Sequence, residues 1–315
     1  MNAPRSIDDY LKQLRAALAG EDPALAQDAL YDAEEYLRAE LAANPGKSEA
    51  DMLELIASTY GAPDEVAAAY RDTEVKVRAA LKTPPPRTAA GSSALRRFFR
   101  VYLDPRSYTS LFYMLLTLAT GIVYFTVVVT GLSLSLGLAV LIIGVPFFLA
   151  FIGITRVIAL GEGRLIEAIT GERMPRRPVH PGPPLPWYTR VLDMLKDVRT
   201  WTTLAYLVLM LPLGVLYFTV ALSGLAVSAA FIATPVVELL YHWGLVDVDI
   251  SDHMFVASGQ PWSPQYPLLE GAVLFVLGVL LLTLLLHVAR AVARGHAHLA
   301  KALLVVPGSQ APAAR

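Results

Sequence analysis

From Ser107 to Thr155 the chain carries no Asp, Glu, Lys or Arg, a run of 49 residues. As one helix that run would be over roughly 70 Å long. A bilayer's hydrocarbon core is about 30 Å thick and takes about 20 apolar residues to cross. The run must therefore fold back, and the segment Gly131-Leu132-Ser133-Leu134-Ser135 is the expected turn. Two further charge-free runs follow, Thr200–Val237 with 38 residues and Gly271–Ala289 with 19. Core helices of soluble proteins keep a polar face, so these blocks read as membrane spans. The first 100 residues are polar and acidic, without a basic segment leading into an apolar one. The first span is accordingly expected to act as an uncleaved anchor.

Only 17% of the 315 residues are charged, against about a quarter in an ordinary soluble domain. The net charge of -1 hides a split. Residues 1–82 hold nine Lys/Arg and sixteen Asp/Glu, whereas 83–315 hold seventeen and eleven. There is no cysteine, which excludes disulfides, thiolate metal sites and a cysteine nucleophile.

The acidic front reads as a small all-α unit. Ser6 is placed to cap a helix from Ile7 to Ala19, with Ile7, Leu11, Leu14 and Leu18 on one stripe. Asp22-Pro23 fits the cap and first position of a second helix, ended by Asn44-Pro45-Gly46. Ser48 opens a third, and Pro63 starts a fourth after Tyr60-Gly61-Ala62. The pair Glu34-Glu35 sits on an acidic soluble helix and reads as a solvated face, not as a catalytic dyad. Three pieces in this order, Asp9-Tyr10-Leu11 with Leu14 and Leu18, Tyr31-Asp32-Ala33-Glu34-Glu35, and Tyr60-Gly61-Ala62-Pro63-Asp64-Glu65-Val66-Ala67, resemble the HAAS signalling domain, also called DUF1700. The resemblance covers most of residues 6–71. It implies a helical module ahead of membrane segments in a bacterial protein, often linked to PadR-type transcription regulators.

The rear half repeats itself. Asp104-Pro-Arg-Ser-Tyr-Thr-Ser-Leu111 matches Asp197-Val-Arg-Thr-Trp-Thr-Thr-Leu204 at an offset of 93. The same offset pairs Gly121 with Gly214, Tyr124 with Tyr217 and Gly131 with Gly224. Farther on the offset is 134, pairing Gly144 with Gly278, Arg156 with Arg290 and Gly161 with Gly295. The second copy thus carries a 41-residue insertion between residues 225 and 270. Each copy reads as a span, a turn, a second span and a basic amphipathic elbow. Tyr108 and Trp201 suit the interface at a span's start, and the Asp/Arg pairs just before them read as an interfacial clasp. Leu211-Pro212-Leu213-Gly214-Val215-Leu216-Tyr217-Phe218, Ile143-Gly144-Val145-Pro146 and Glu162-Gly163-Arg164-Leu165, over roughly 100–305, resemble the sensor domain of actinobacterial-type histidine kinases. No kinase segment follows within this sequence, so autokinase activity is not carried over.

Basic residues near span ends set the expected topology. Loop 156–202 has eight Lys/Arg, 87–106 has five and 290–315 has four, while 243–267 has none. This places both termini inside and 243–267 outside, with four crossings. Residues 225–242, broken at Thr234-Pro235, are then expected to form a separate outer or re-entrant segment. Arg156 and Arg290 should mark the inner interface, and the elbows 157–170 and 291–304 should form the face that the acidic front domain meets.

The chemistry is sparse. None of the serine-hydrolase, HExxH, Walker A or dinucleotide-binding motifs occurs. His296 and His298 lie two apart and point to different helix faces. Glu238, His242, Asp247, Asp249, Asp252 and His253 gather in the insertion, where a solvated loop outweighs a cation or pH-sensing site. His287 lies near the end of the last span, and His180 in the middle loop. No catalytic, cofactor or metal residue is assigned. The domains expected are 1–82, helical and cytoplasmic; 83–100, a Pro/Gly/Ser linker and basic juxtamembrane segment; 101–305, a four-helix membrane domain with repeats at about 104–171 and 197–305; and 306–315, a tail. The expected protein is all-α, a non-enzymatic multi-pass signalling protein of the bacterial cytoplasmic membrane. Its partners would be membrane lipid and a cytoplasmic protein, a PadR-type regulator or a histidine kinase on the resemblance. Nucleic acid is not expected, and a homo-oligomer is compatible with the sequence. The competing readings are a small transporter or permease component and an envelope scaffold.

Overall fold

The computed structural model of the chain describes residues 4–81, 94–141, 143–177, 187–245 and 267–305, and among them there is no β-strand. The front domain is α1 (Ile7–Ala17), α2 (Pro23–Ala43), α3 (Glu49–Ala57) and α4 (Pro63–Leu81). Each expected cap forms. Ser6 Oγ accepts from the Asp9 N–H at 3.1 Å, Asp22 Oδ1 from Ala24 at 2.9 Å, and Ser48 Oγ from Asp51 at 3.2 Å. Gly61 sits at φ +100°, which strains any residue with a Cβ, so the chain can turn sharply into α4 there. Its carbonyl accepts from the Tyr10 hydroxyl at 2.9 Å, stapling α1 to that turn. Ile7, Tyr10, Leu14, Leu37, Met52, Ile56 and Val66 are among the buried residues of the core, and Tyr36 stacks on Tyr60 at 4.4 Å.

Burial pushes the phenol of Tyr60 up to about 12 and raises those of Tyr10 and Tyr70 further. A phenol held above its ordinary value stabilises the fold only while it stays protonated. Stability from these groups is therefore present below about pH 10 and lost as pH climbs through 12. Alkaline titration should show a late tyrosinate absorbance step coinciding with unfolding of the front domain, and Tyr60→Phe should diminish that step.

The rest of the chain forms α5 (Ala94–Phe99), a 3-10 turn (Arg100–Leu103), α6 (Pro105–Gly137), α7 (Gly144–Thr170), α8 (Trp187–Lys196), α9 (Val198–His242) and α10 (Pro267–Leu304). Four of them, α6, α7, α9 and α10, are long and apolar enough to cross a membrane. Two sequence expectations need correction. The segment 131–135 is not a turn: it lies inside α6, which runs on to Gly137. Backbone in an apolar medium keeps its hydrogen bonds by staying helical, and Gly131 serves instead as the seat of the Phe151 ring. Nor do residues 225–242 form a separate piece. They continue α9, which has 45 residues and holds Pro212 and Pro235 within it. Prolines are tolerated in apolar helices where neighbours cover the freed carbonyls; here Pro235 packs on Gly271.

The chain makes two compact units. One comprises residues 1–88, 123–209 and 295–315; the other comprises 89–122 and 210–294. In the second unit, α6 and α9 cross at glycines. A Cβ on Gly121 would stand 2.5 Å from the Met210 carbonyl oxygen, and one on Gly214 would stand 2.5 Å from that of Thr117. At the offset of 93 these contacts are reciprocal, so the duplication is built into the packing. Without a hydrophobic drive in lipid, such close backbone approach by small residues is what holds helices together. Met114, Ala221 and Ala289 pack beside it. The Tyr102 hydroxyl reaches Thr283 at 3.0 Å, and the His287 ring stacks on Phe98 and meets its carbonyl at 3.0 Å.

The Asp residues of the expected clasp act in two ways. Asp104 and Asp197 each accept the backbone N–H two residues on, at 3.0 Å, capping α6 and α9. Each also meets an arginine of the opposite copy, Asp104 with Arg290 at 2.7 Å in the second unit and Asp197 with Arg156 at 4.0 Å in the first.

Replacing Gly121 or Gly214 by Ala should lower the thermal midpoint of the detergent-solubilised protein, since overpacking costs about 1–3 kcal/mol. Gly153→Ala, where no atom stands within 4 Å of the new Cβ, should leave the midpoint unchanged.

Candidate functional site

The site lies within the first unit, where α2 of the front domain meets the segment after α7. Helix α7 ends on Gly171, whose φ of +75° gives a left-handed cap. The chain then carries Arg173, Arg176 and Arg177 along α2. The Arg173 guanidinium sits between two carboxylates, Asp28 at 2.8 Å and Glu74 of α4. Asp28 and Glu74 are buried and Arg173 is nearly so, with side-chain exposures of 5, 9 and 11%. The other Asp28 oxygen accepts the backbone N–H of Arg176 at 2.9 Å and of Arg177 at 3.0 Å. Asp28 thus takes three bonds and gathers the segment around itself. Burial pushes its carboxyl up from the ordinary aspartate range, against the pull of the two N–H groups and the guanidinium.

Around this centre the contacts widen. Arg177 pairs with Asp32 at 3.0 Å and lies over the Tyr31 ring at 5.8 Å, while its carbonyl accepts from Gln27 at 2.8 Å. Arg176 pairs back to Glu167 on α7 at 2.6 Å, and that partner raises its pKa. Met174 is fully buried, against Gly163 of α7. Lys301 of α10 reaches Asp22 at 2.6 Å, so the residue that caps α2 also ties it to the last helix. Arg199 reaches Gln27 at 3.2 Å.

A second polar pair lies in the same unit. Glu162 on α7 and His296 on α10 are each 1% exposed. The Tyr124 hydroxyl donates to Glu162 at 2.8 Å, and Tyr206 meets His296 Nε2 at 2.9 Å. At the offset of 134, Glu162 and His296 are the same position of the two copies.

The front domain meets the second elbow and the segment that follows the first, not the first elbow itself. The contacts run through Arg173 and Arg177 just past the first elbow and through Lys301 in the second. Arg156 and Arg290 point elsewhere, to Asp197 and Asp104. Glu34 pairs with Arg38 at 2.7 Å and is partly covered, while Glu35 is exposed. His242 stands 3.7 Å from Glu238; Asp247, Asp249, Asp252 and His253 lie outside the described residues, as does His180. Among the described residues no group of three or more His, Asp or Glu is placed to hold a metal ion. His298 is exposed while His296 is buried, as their spacing demands. Sequence reasoning missed Asp28, Glu74 and Arg173 as a buried set. Nothing in composition marks which of many surface charges becomes buried. Glu162 and His296 could have been found, because the 134 offset aligns them.

An all-α multi-pass membrane protein with a helical domain packed on one end of its apolar helices is the class so defined. A family model described as "Putative sensor" matches residues 113–304, and the chain belongs to that sensor family. The match begins at Tyr113 and so lies wholly in the membrane half. No curated protein and no solved structure matches the chain.

Removing Arg173 takes the cation from two buried carboxylates, a loss of about 3–5 kcal/mol. Arg173→Met should therefore lower the thermal midpoint by several degrees. Arg173→Met with Glu74→Met should recover part of it, since Asp28 keeps its two backbone N–H donors. Equal midpoints for the two variants would show that the carboxylates are not the source of the loss.

Proposed function

We propose that the protein is a non-enzymatic membrane sensor of the bacterial cytoplasmic membrane, which passes a state of its membrane helices to a cytoplasmic protein through the N-terminal domain. The observation that carries this reading is the Asp28–Arg173–Glu74 cluster. It joins α2 and α4 of the front domain to the end of α7, and Lys301 joins α2 to α10. A shift of either apolar helix along its axis must move those contacts or break them. Buried ion pairs contribute little net stability because desolvation offsets attraction, so such a joint can open at small cost. The resemblance of residues 6–71 to the HAAS domain supports a protein partner, a PadR-type regulator or a histidine kinase. The basic loops 87–106, 156–202 and 290–315 support cytoplasmic termini under the positive-inside rule.

Affinity capture of the tagged full-length protein from its native membranes tests this reading. One regulator or kinase should co-purify with the wild type, and its yield should change severalfold with Asp28→Ala. Reporter fusions after Gln260 should be active only outside, and after Arg315 only inside. An external C-terminus, or capture indifferent to Asp28→Ala, would defeat the relay.

One observation favours transport as a second reading. Glu162 and His296 are ionisable groups buried in long apolar helices, and such groups mark proton or ion paths in carriers. Proton flux in proteoliposomes that vanishes in Glu162→Gln would favour that reading over sensing.

A further inference from the structure

In the second unit α9 and α10 run antiparallel, for Gly224 meets Leu285 and Gly278 meets Ile232. Between them lies a groove of about 340 Å³, lined on α9 by Val220, Gly224, Val227 and Ser228 and on α10 by Leu281 and Leu285, among others. Native interiors are close-packed and leave few voids larger than a water. A groove of this size is at the lower end of ligand pockets.

The duplication supplies an internal control. Gly131 and Ser135 are the first-copy equivalents of Gly224 and Ser228, and Phe147 and Phe151 those of Leu281 and Leu285. In the first copy the Phe151 ring is 3% exposed and seated on Gly131, so the space over the glycine is filled. In the second copy the smaller Leu285 is seated on Gly224 instead, and the groove lies beside it. The groove is thus a departure from a packing solution the chain already possesses.

Two serines line it, Ser223, which is exposed, and Ser228. Ser228 is 1% exposed, and its hydroxyl has no partner among the described residues. Thr219, Thr234 and Thr283 on the same two helices bond back to the carbonyl four residues earlier, at 2.6–2.8 Å. Ser228 does not. Ser135 shares that state, so the unmet hydroxyl belongs to both copies. An unmet buried donor is costly, and a ligand oxygen would satisfy it. Ser228 and Leu281 lie at one end of the groove, Val220 and Val288 at the other. The eight residues of α9 between them span about 12 Å.

We propose that this groove binds one acyl chain of a membrane lipid, with the ester carbonyl oxygen accepting from Ser228 Oγ. The helices are long and apolar enough to cross a membrane, and the groove opens sideways between them, so a lipid chain is the species that can reach it. At about 30 Å³ per water-sized group, the volume holds roughly eleven methylene-sized groups, one chain and not two. Hydrocarbon gains nothing by moving from lipid to an equally apolar wall, so selection comes from the shape of the groove and from the hydroxyl. The proposal gives the sensor reading a ligand class and rests on it only for the consequence of binding, not for binding itself.

The test uses the full-length protein reconstituted in phosphatidylcholine vesicles doped with a lipid bearing a photoreactive group on its acyl chain. After illumination the labelled residues are mapped by mass spectrometry. Label should concentrate on 220–228 and 281–288. Leu281→Phe with Leu285→Phe, which copies the first repeat, should abolish that label and leave the label elsewhere. Ser228→Ala should reduce labelling by the ester lipid roughly three- to tenfold, the worth of one hydrogen bond. It should leave labelling by an ether-linked analogue, which has no carbonyl, unchanged. Even labelling of all lipid-facing helices, or labelling unaffected by the Phe pair, means an annular lipid only and overturns the proposal. Partner capture is measured separately on the Phe pair. Groove label lost with capture unchanged would sink the sensor reading while upholding the groove.

Discussion

A guanidinium held between two carboxylates, out of water, is the interaction on which the front of this molecule depends. Arg173 has few ways to satisfy its charge other than Asp28 and Glu74, and those two carboxylates sit on different helices of the same small domain. One side chain thus fixes where α2 and α4 lie with respect to the end of α7. Desolvation makes the contact costly to form and costlier still to half-form. The consequence is a joint with few intermediate settings, suited to two positions rather than a continuum.

The membrane helices obey a different constraint. Apolar side chains gain nothing by exchanging lipid for each other, so specificity falls to places where a glycine admits a close neighbour. Gly121 and Gly214 provide one, Gly131 with Phe151 another, and Gly224 with Leu285 its modified counterpart. The polar joints, Asp104–Arg290 and Asp197–Arg156, sit at helix caps. The fold of this half is therefore written in small residues and terminal charges rather than in bulk hydrophobicity.

Much of this was legible in the residues. Ser6, Asp22, Ser48 and Pro63 open the four front helices as local cap chemistry dictates, because a cap is decided by its immediate neighbours. The repeat offsets named the glycine pairs before their contacts were known. What was misread is equally physical. The Gly131–Ser135 segment and Thr234-Pro235 carry turn residues, and turn statistics come from water, where a broken helix can be hydrated. In α6 and α9 that escape is missing, so the helix continues. The Arg173 cluster was invisible for another reason: burial of a charge depends on partners 99 and 145 residues away in sequence.

The position shared by Glu162 and His296 has a consequence for ancestry. A two-copy membrane fold can arise as a symmetric dimer of one short chain. Such a dimer must place the same side chain at both equivalent points. Once the copies are fused, each can drift alone, and here one became an acid and the other a base, each under its own tyrosine hydroxyl. Fusion thus lets this fold hold an acid and an imidazole at matched positions of its two copies, a difference that no assembly of identical halves could hold.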